Sequence, residues 1–258
     1  VYQKDDSFKA GIKTLNSLKQ YGVAGEILDS AGVRQKDPNL LPSVIGGIYY
    51  PGYEHVLPER YVKGMARIAE NNGATLHTET EVIGFETSGK RISRVVTTRG
   101  DFIPEQVVLA AGSWSPPIAR DLGLRLPIQP AKGYSISVRR TTSSSTIPLS
   151  LVDQKVAVTP MGDQLRMSSN LELVGYDSTI NRRRIAATRR AVNMYLSGID
   201  ELELIQIWSG FRPNTPDTLP IIERNDTYNN LILATGHDML GMTHSLVTGK
   251  LVSEIIDG

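Results

Sequence analysis

The stretch WSGFRPNTPDTLPI, residues 208–221, holds the side chain best suited to bind a small anion. Arg212 closes a run of β-type residues and directly precedes the first of three prolines in this stretch. If the run is a strand, the side chains of Trp208, Gly210 and Arg212 share one face. The indole ring, the space left by the glycine and the planar guanidinium would then lie in line, an arrangement that suits the wall of a pocket for a carboxylate. A solvated or ion-paired arginine at a strand end is the alternative interpretation.

Two further segments, VVLAAGSWS (107–115) and LILATGHDMLGMT (231–243), have the pattern of buried strands that end in small residues. Small residues at a strand end let the backbone approach a bulky ligand, and a helix that follows offers free N–H groups to anions. We expect Gly241 to supply close approach and positive φ there. His237, in the same turn, is a residue type that exchanges protons near neutral pH. The alternative interpretation is a strand that ends in a tight turn and binds no ligand, which gives the same pattern.

The composition removes several classes of function. The chain has 258 residues, no cysteine, four histidines and a formal net charge of +1. Thiol catalysis, disulfides and zinc–thiolate sites are therefore excluded, and nothing indicates nucleic acid as a partner. The histidines lack metal-ligand spacing and no nucleophile–base or paired-carboxylate pattern is visible, so we predict no metal site. No apolar run approaches the roughly 18 residues of a membrane-spanning helix.

Phosphate-binding glycine motifs are absent from the sequence. Neither G-x-G-x-x-G after a strand nor G-x-x-x-x-G-K-[ST] occurs. A self-sufficient dinucleotide enzyme has such a motif near its N-terminus. The basic run RRRIAATRR, residues 182–190, indicates a solvated helix face, with an acidic partner or an anionic membrane surface as the alternative.

The elements that position these residues are a mixture of helices and strands. PERYVKGMARIAENNGA and MTHSLVTGKLVSEIIDG predict helices, and TINRRRIAATRRAVNMYLSG predicts an amphipathic helix with Ile185, Val192 and Leu196 near one face. Strands are predicted at ATLHT, EVIGFET, RISRVVTTRG and QVVLAAG, and an antiparallel set is predicted after residue 112. The last helix is expected to turn these residues inward: Val247, Leu251, Val252, Ile255 and Ile256.

Several of these motifs, in order, resemble the FAD-dependent D-amino acid oxidase and dehydrogenase family. They are VVLAAGSWS, LGLRLPIQPAKGYSISV, WSGFRPNTPDTLPIIE and NLILATGHDMLGMTHSLVTGKLVSEII. GGIYYPGYEHVLPERYVKGMARIAENNGATL fits the same family's mid-chain segment, so the resemblance covers residues 42–258. It is strongest to the bacterial D-amino acid dehydrogenase small-subunit branch, with glycine oxidase as a nearby relative.

The resemblance implies roles for individual residues. Arg212 matches the arginine that binds the substrate carboxylate, and Val82 matches the position where the backbone meets the adenine of FAD. The implied chemistry is hydride transfer from Cα of a small amino acid, D-configured, to flavin N5, which needs alignment more than an acid–base residue. The family's residues beside the diphosphate and ribose of FAD match Ala110, Ala111, Gly112 and Trp114. The family's residues that face the flavin match Gly236, His237, Asp238, Met239, Leu240, Gly241 and Met242.

The implied fold class is α/β plus α+β, with an incomplete Rossmann-like FAD-binding domain interleaved with an antiparallel-sheet substrate domain. Residues 51–125 and 223–258 are expected to belong to the FAD-binding domain. Residues 126–222, with part of 1–50, are expected to form the substrate domain, whose sheet roofs the flavin. A cytoplasmic location fits the absence of cysteine, and contact with the inner membrane surface or with a separate electron acceptor is an additional hypothesis.

Two departures from the family pattern leave the substrate and the role open. The family's N-terminal strand–GxGxxG–helix unit, which holds the ADP half of FAD, is missing, so we expect this chain to be the C-terminal portion of a longer protein and to be inactive by itself. The family's pocket tyrosine, just before VAVTP, has no match, because Gln154 and Ala157 occupy the nearest positions. The alternatives are a glycine/sarcosine-type amine oxidase and a non-catalytic subunit whose partner carries the flavin.

Overall fold

The computed structural model describes residues 1–142 and 144–258, with the backbone alone at Asn170. The chain divides into two compact units. Unit 1 comprises Val1–Leu57, Gly133–Glu172 and Ser178–Gly210, and unit 2 comprises Pro58–Lys132, Leu173–Asp177 and Phe211–Gly258.

Helices and strands are present in both units. The α-helices are α1 (Asp5–Leu18), α2 (Ser30–Lys36), α3 (Pro58–Asn71), α4 (Ser115–Asp121), α5 (Arg182–Asn193) and α6 (Gly241–Asp257). The strands are β1 (Glu26–Asp29), β2 (Gly46–Tyr49), β3 (Val82–Ser88), β4 (Arg91–Thr97), β5 (Val107–Leu109), β6 (Gln129–Arg139), β7 (Leu149–Leu151), β8 (Val156–Met161), β9 (Gln164–Glu172), β10 (Leu204–Asn214), β11 (Ile221–Arg224) and β12 (Leu231–Thr235). The unit boundaries fall within β6 and β10.

Unit 1 is built around the sheet with strand order β10–β6–β9–β8–β7, in which β7, β8 and β9 pair antiparallel. Helix α5 covers β8 and β9 with its apolar face. Ile185 and Val192 are buried, which confirms this part of the face predicted from the helical period. Leu196 is also buried, but its predicted place on the helix is wrong, because α5 ends at Asn193 and Leu196 forms an isolated β-bridge with Leu40. A separate antiparallel pair, β1 and β2, lies beside α1 and α2.

Unit 2 holds a three-stranded sheet with the order β11–β12–β5. Strands β12 and β5 run parallel, and β11 pairs antiparallel with β12. The hairpin of β3 and β4 joins this core through Asn230, whose Oδ1 accepts from the backbone N of Ile92 at 2.9 Å and whose Nδ2 donates to the carbonyl O of Ile92 at 3.0 Å. The parallel pair brings the carboxyl ends of β5 and β12 to one edge of the sheet.

Two predictions about secondary structure and burial are wrong. ATLHT, residues 74–78, is not a strand, since a strand needs a neighbour for its ladder and none of the described residues pairs with it. In α6, Val247, Leu251 and Ile256 are 52%, 39% and 41% exposed instead of facing a core. Periodicity groups residues on one face of a helix, but it does not supply the element that covers that face. None of the helices that the structure describes has the length and apolar character needed to cross a bilayer.

Candidate functional site

The site begins where the parallel strands β5 and β12 end. Gly112 follows β5 and Gly236 follows β12, each with a positive φ, of 53° and 78°. Thr235 Oγ1 donates to the carbonyl O of Gly112 at 3.1 Å, and Ser115 Oγ donates to Thr235 Oγ1 at 2.9 Å. These side-chain bonds fix the two strand ends against each other, at the edge where open α/β sheets bind ligands.

The residues on either side of Arg212 are tied through their carbonyl groups to these strand ends. Ser113 Oγ donates to the carbonyl O of Phe211 at 3.0 Å. The backbone N of Asp238 donates to the carbonyl O of Pro213 at 3.2 Å. The backbone at Arg212 is therefore held from both sides, by the turn after β5 and by the turn after β12.

The guanidinium of Arg212 is half-buried and lacks an anionic partner in the described part of the chain. Its Nη1 is shielded from solvent without a hydrogen bond, and no ion pair includes it among the described residues. Burial lowers the pKa of Arg212, whereas the negative charge of Asp238 raises it. Because an arginine stays protonated well above neutral pH, the site presents a partly desolvated positive charge that an anion from outside the chain can neutralise.

Three aromatic rings form a cluster next to the turn that follows β5. The rings of Trp114 and Tyr176 stack with centroids 4.6 Å apart, and Phe211 lies edge-on to both. Tyr176 OH donates to the carbonyl O of Ser113 at 2.7 Å, and burial raises the pKa of Tyr176. Tyr176 and Ser113 were missed from the sequence, because their segments meet only in the folded chain.

The strand prediction for β10 is confirmed, but the gap expected at Gly210 is filled. A side chain added at Gly210 would place its Cβ 2.9 Å from the Trp208 ring. The same ring lies 5.0 Å from the guanidinium carbon of Arg166. Glycine therefore allows the indole to lie along the strand instead of leaving an opening there.

The loop between β12 and α6 uses positive φ at Gly236 and at Asp238, whose φ is 48°. The prediction of positive φ at Gly241 is wrong, because this glycine starts α6 and an added Cβ there would meet only His237 Cβ, at 3.6 Å. His237 Nε2 is hydrogen-bonded to Thr248 Oγ1 at 2.9 Å. Burial, and to a lesser extent the charge of His244, lowers the pKa of His237, which keeps the ring neutral near pH 7.

The remaining residues singled out from the sequence differ in their surroundings. Val82 opens β3, pairs with Thr97 and is 38% exposed. Ala110, Met239 and Leu240 are exposed, whereas Ala111 and Met242 are half-buried. The bonds described above therefore unite the strand-end glycines, Arg212 and Asp238, but they do not include Val82.

Gly236 is the glycine of this loop whose replacement should destabilise the protein. Gly236→Ala puts an L side chain at φ 78°, with its Cβ 2.7 Å from Thr215 Cγ2. We expect the free energy of unfolding to fall by about 2–5 kcal/mol. Gly241→Ala is the matched control and should leave it unchanged or raise it by up to about 1 kcal/mol. Urea unfolding of both variants measures the difference, and equal stability would contradict the conformational requirement at Gly236.

Comparisons with known proteins agree on one family. A family model described as FAD dependent oxidoreductase (DAO) matches residues 1–255. The D-amino acid dehydrogenase of Granulibacter bethesdensis is 35% identical over 247 residues, which are 93% of this chain and 59% of that protein. That of Agrobacterium fabrum is 34% identical over 263 residues, covering 100% of this chain and 63% of the relative. The chain thus spans about three-fifths of the length of these relatives.

Solved structures confirm the fold class. Glycine oxidase from Bacillus cereus superposes with a TM-score of 0.91 at 25% identity, covering 99% of this chain and 70% of that one. L-proline dehydrogenase from P. horikoshii has a TM-score of 0.89 at 22% identity, covering 99% and 70%. Together with the match of the family model over nearly the whole sequence, these likenesses confirm the resemblance inferred from the motifs: the chain belongs to the family of FAD-dependent oxidoreductases (DAO).

Proposed function

We propose that this chain binds and aligns a small amino acid, D-configured, for oxidation at Cα in a flavin-dependent dehydrogenase or oxidase. The observation that carries the proposal is the guanidinium of Arg212, half-buried with a shielded Nη1 and no partner among the described residues. A charge in such surroundings costs free energy until it is paired. A carboxylate matches the planar fork of a guanidinium with two parallel hydrogen bonds.

The strand ends fit part of an FAD molecule. A Cβ at Gly112 would meet no atom within 4 Å, so the backbone there is open to close approach. Helix α6 begins without a side-chain cap, which leaves N–H groups of its first turn available. We assign the cofactor contacts to Ala110, Ala111, Gly112 and Trp114, to Gly236–Met242, and to Val82 at the adenine. FAD, when bound, supplies the acceptor for a hydride.

The chain's own contribution is alignment of the substrate. Arg212 fixes the carboxylate, and the bonds to Phe211 O and Pro213 O fix Arg212 itself. Holding reactants in one geometry removes a large entropic part of a barrier.

We also propose that residues 51–125 and 223–258, most of which lie in unit 2, form the FAD-binding part, and that residues 126–222 with part of 1–50, most of which lie in unit 1, form the substrate domain. The apolar faces of α3 and α6 are exposed, and β5 lies at the edge of its described sheet. The relatives have additional length that this chain does not span. A nucleotide-binding segment in that additional length is a suitable cover for these surfaces.

Anaerobic mixing of the full-length flavoprotein with amino acids tests the proposal. We expect D-amino acids to bleach the flavin absorbance near 450 nm and to yield the corresponding 2-oxo acid, with their L-enantiomers reacting far more slowly. Glycine and sarcosine belong in the same series. Bleaching by sarcosine but not by any D-amino acid would favour the amine oxidase alternative, and no bleaching at all would favour a non-catalytic subunit.

A further inference from the structure

Asp238 is held in an uncommon backbone conformation next to the anion site. Its φ of 48° lies in the left-handed region, which glycine adopts freely and aspartate only at a cost. Its backbone N donates to the carbonyl O of Pro213, the residue that follows Arg212. A strained residue fixed beside a candidate ligand site points to a use for its side chain.

The carboxylate of Asp238 is unpaired in the same way as the guanidinium of Arg212. Asp238 Oδ1 and Arg212 Nη1 are both shielded from solvent without a hydrogen-bond partner. The charge of Asp238 acts on Arg212, so the two groups share one electrostatic environment. Within the described residues, however, no ion pair of 4.0 Å or less joins them.

Two opposite charges that are close but not in contact suit a ligand that carries both signs. An α-amino acid has its carboxylate and its amino group on one carbon, so the two groups can reach neighbouring partners of opposite charge. A ligand of this kind would pair both side chains at once, whereas a simple anion would leave Asp238 unpaired and would be repelled by it.

We propose that Asp238 binds the substrate nitrogen by accepting a hydrogen bond from the amino group whose carboxylate lies on Arg212. The inference rests on the proposed function and extends it, because it makes Asp238 the residue that selects amino acids against carboxylic acids that lack nitrogen. The resemblance implied only that the loop containing Asp238 faces the flavin. The backbone of this loop and the side chain of Asp238 would thus serve different ligands.

Asp238→Asn in the full-length flavoprotein tests the inference. Asparagine tolerates positive φ and keeps the shape, so the loop is preserved. The probes are D-alanine, whose Kd comes from the concentration dependence of anaerobic flavin reduction, and propanoate, whose Kd comes from competition with it. We expect the Kd of D-alanine to rise about 10- to 100-fold and that of propanoate to fall or stay constant. Asp226→Asn, an exposed aspartate in the same unit, is the matched control and should change neither.

Two results would overturn the inference. If both Kd values change by the same factor in the same direction, Asp238 acts only through the charge of Arg212. If neither changes, its carboxylate touches no ligand. Both probes carry a carboxylate, so the comparison is independent of whether Arg212 binds it. The proposed function fails separately, if the full-length protein is reduced by no amino acid.

Discussion

Replacing Arg212 with leucine is expected to lower kcat/KM of the full-length enzyme for its best amino acid roughly 30-fold to several-thousand-fold, since losing one partner of a desolvated charge pair costs about 2–5 kcal/mol. The large effect follows from the surroundings of the guanidinium. It is half-buried, its Nη1 is shielded, and no described residue forms an ion pair with it. The carboxylate would therefore be its principal anionic partner.

Arg212→Lys separates charge from geometry. Lysine keeps the positive charge but lacks the planar fork, so it should restore only part of the lost kcat/KM. Each variant is assayed with an amino acid and with its uncharged amide, and wild type should strongly prefer the acid. Arg99→Leu is the matched control, because Arg99 is exposed and pairs only with Glu79 among the described residues, and it should change kcat/KM by no more than about fivefold.

The preference for acid over amide decides the role of Arg212. Arg212→Leu should lose most of that preference, because the interaction it removes is with the charge of the substrate. If the leucine variant still prefers the acid as strongly as wild type, the carboxylate is held elsewhere, and Arg212 is a structural end of β10.

The sequence predicted those parts of the fold that depend on local periodicity. Ile185 and Val192 recur at helical spacing, and both are buried on α5, whereas the helix ends before Leu196. The apolar runs at β5 and β12 were identified as strands for the same reason. The exposure of α6 was not predictable in this way. Val247 and its apolar neighbours share one face of the helix whether or not another element packs against that face.

The site was predictable only where chemistry and local pattern coincide. Arg212 stands out because a lone cation closes a strand before a proline. The role proposed for Asp238 has no such signal, since its positive φ and its shielded carboxylate exist only in the folded chain. Likewise Tyr176 and Trp114, distant in sequence, stack only when the loop containing Tyr176 folds onto the end of β5. Glycine at 241 attracted the prediction of positive φ because glycine adopts it freely, whereas an aspartate three positions earlier adopts it here.

The 258-residue chain produced alone is expected to bind FAD weakly and to be nearly colourless after gel filtration. The strand ends offer contacts to part of the cofactor, but the sequence has no glycine-rich phosphate loop. If two charge-assisted hydrogen bonds to the diphosphate are missing, at about 1.5–3 kcal/mol each, affinity falls about 100- to 20,000-fold.

The measurement is the molar ratio of flavin to protein in the eluted peak, with circular dichroism to establish that the chain is folded. The control is the full-length flavoprotein of the proposed function, purified in the same way, which should retain close to one flavin per chain. A second measurement uses the exposed apolar residues on α3 and α6, which the FAD-binding segment absent from the short chain would cover. A hydrophobic dye should bind the short chain and should be excluded from the full-length protein. A folded short chain that elutes yellow with stoichiometric flavin would refute the expectation, because the contacts at the ends of β5 and β12 would then suffice to hold the cofactor.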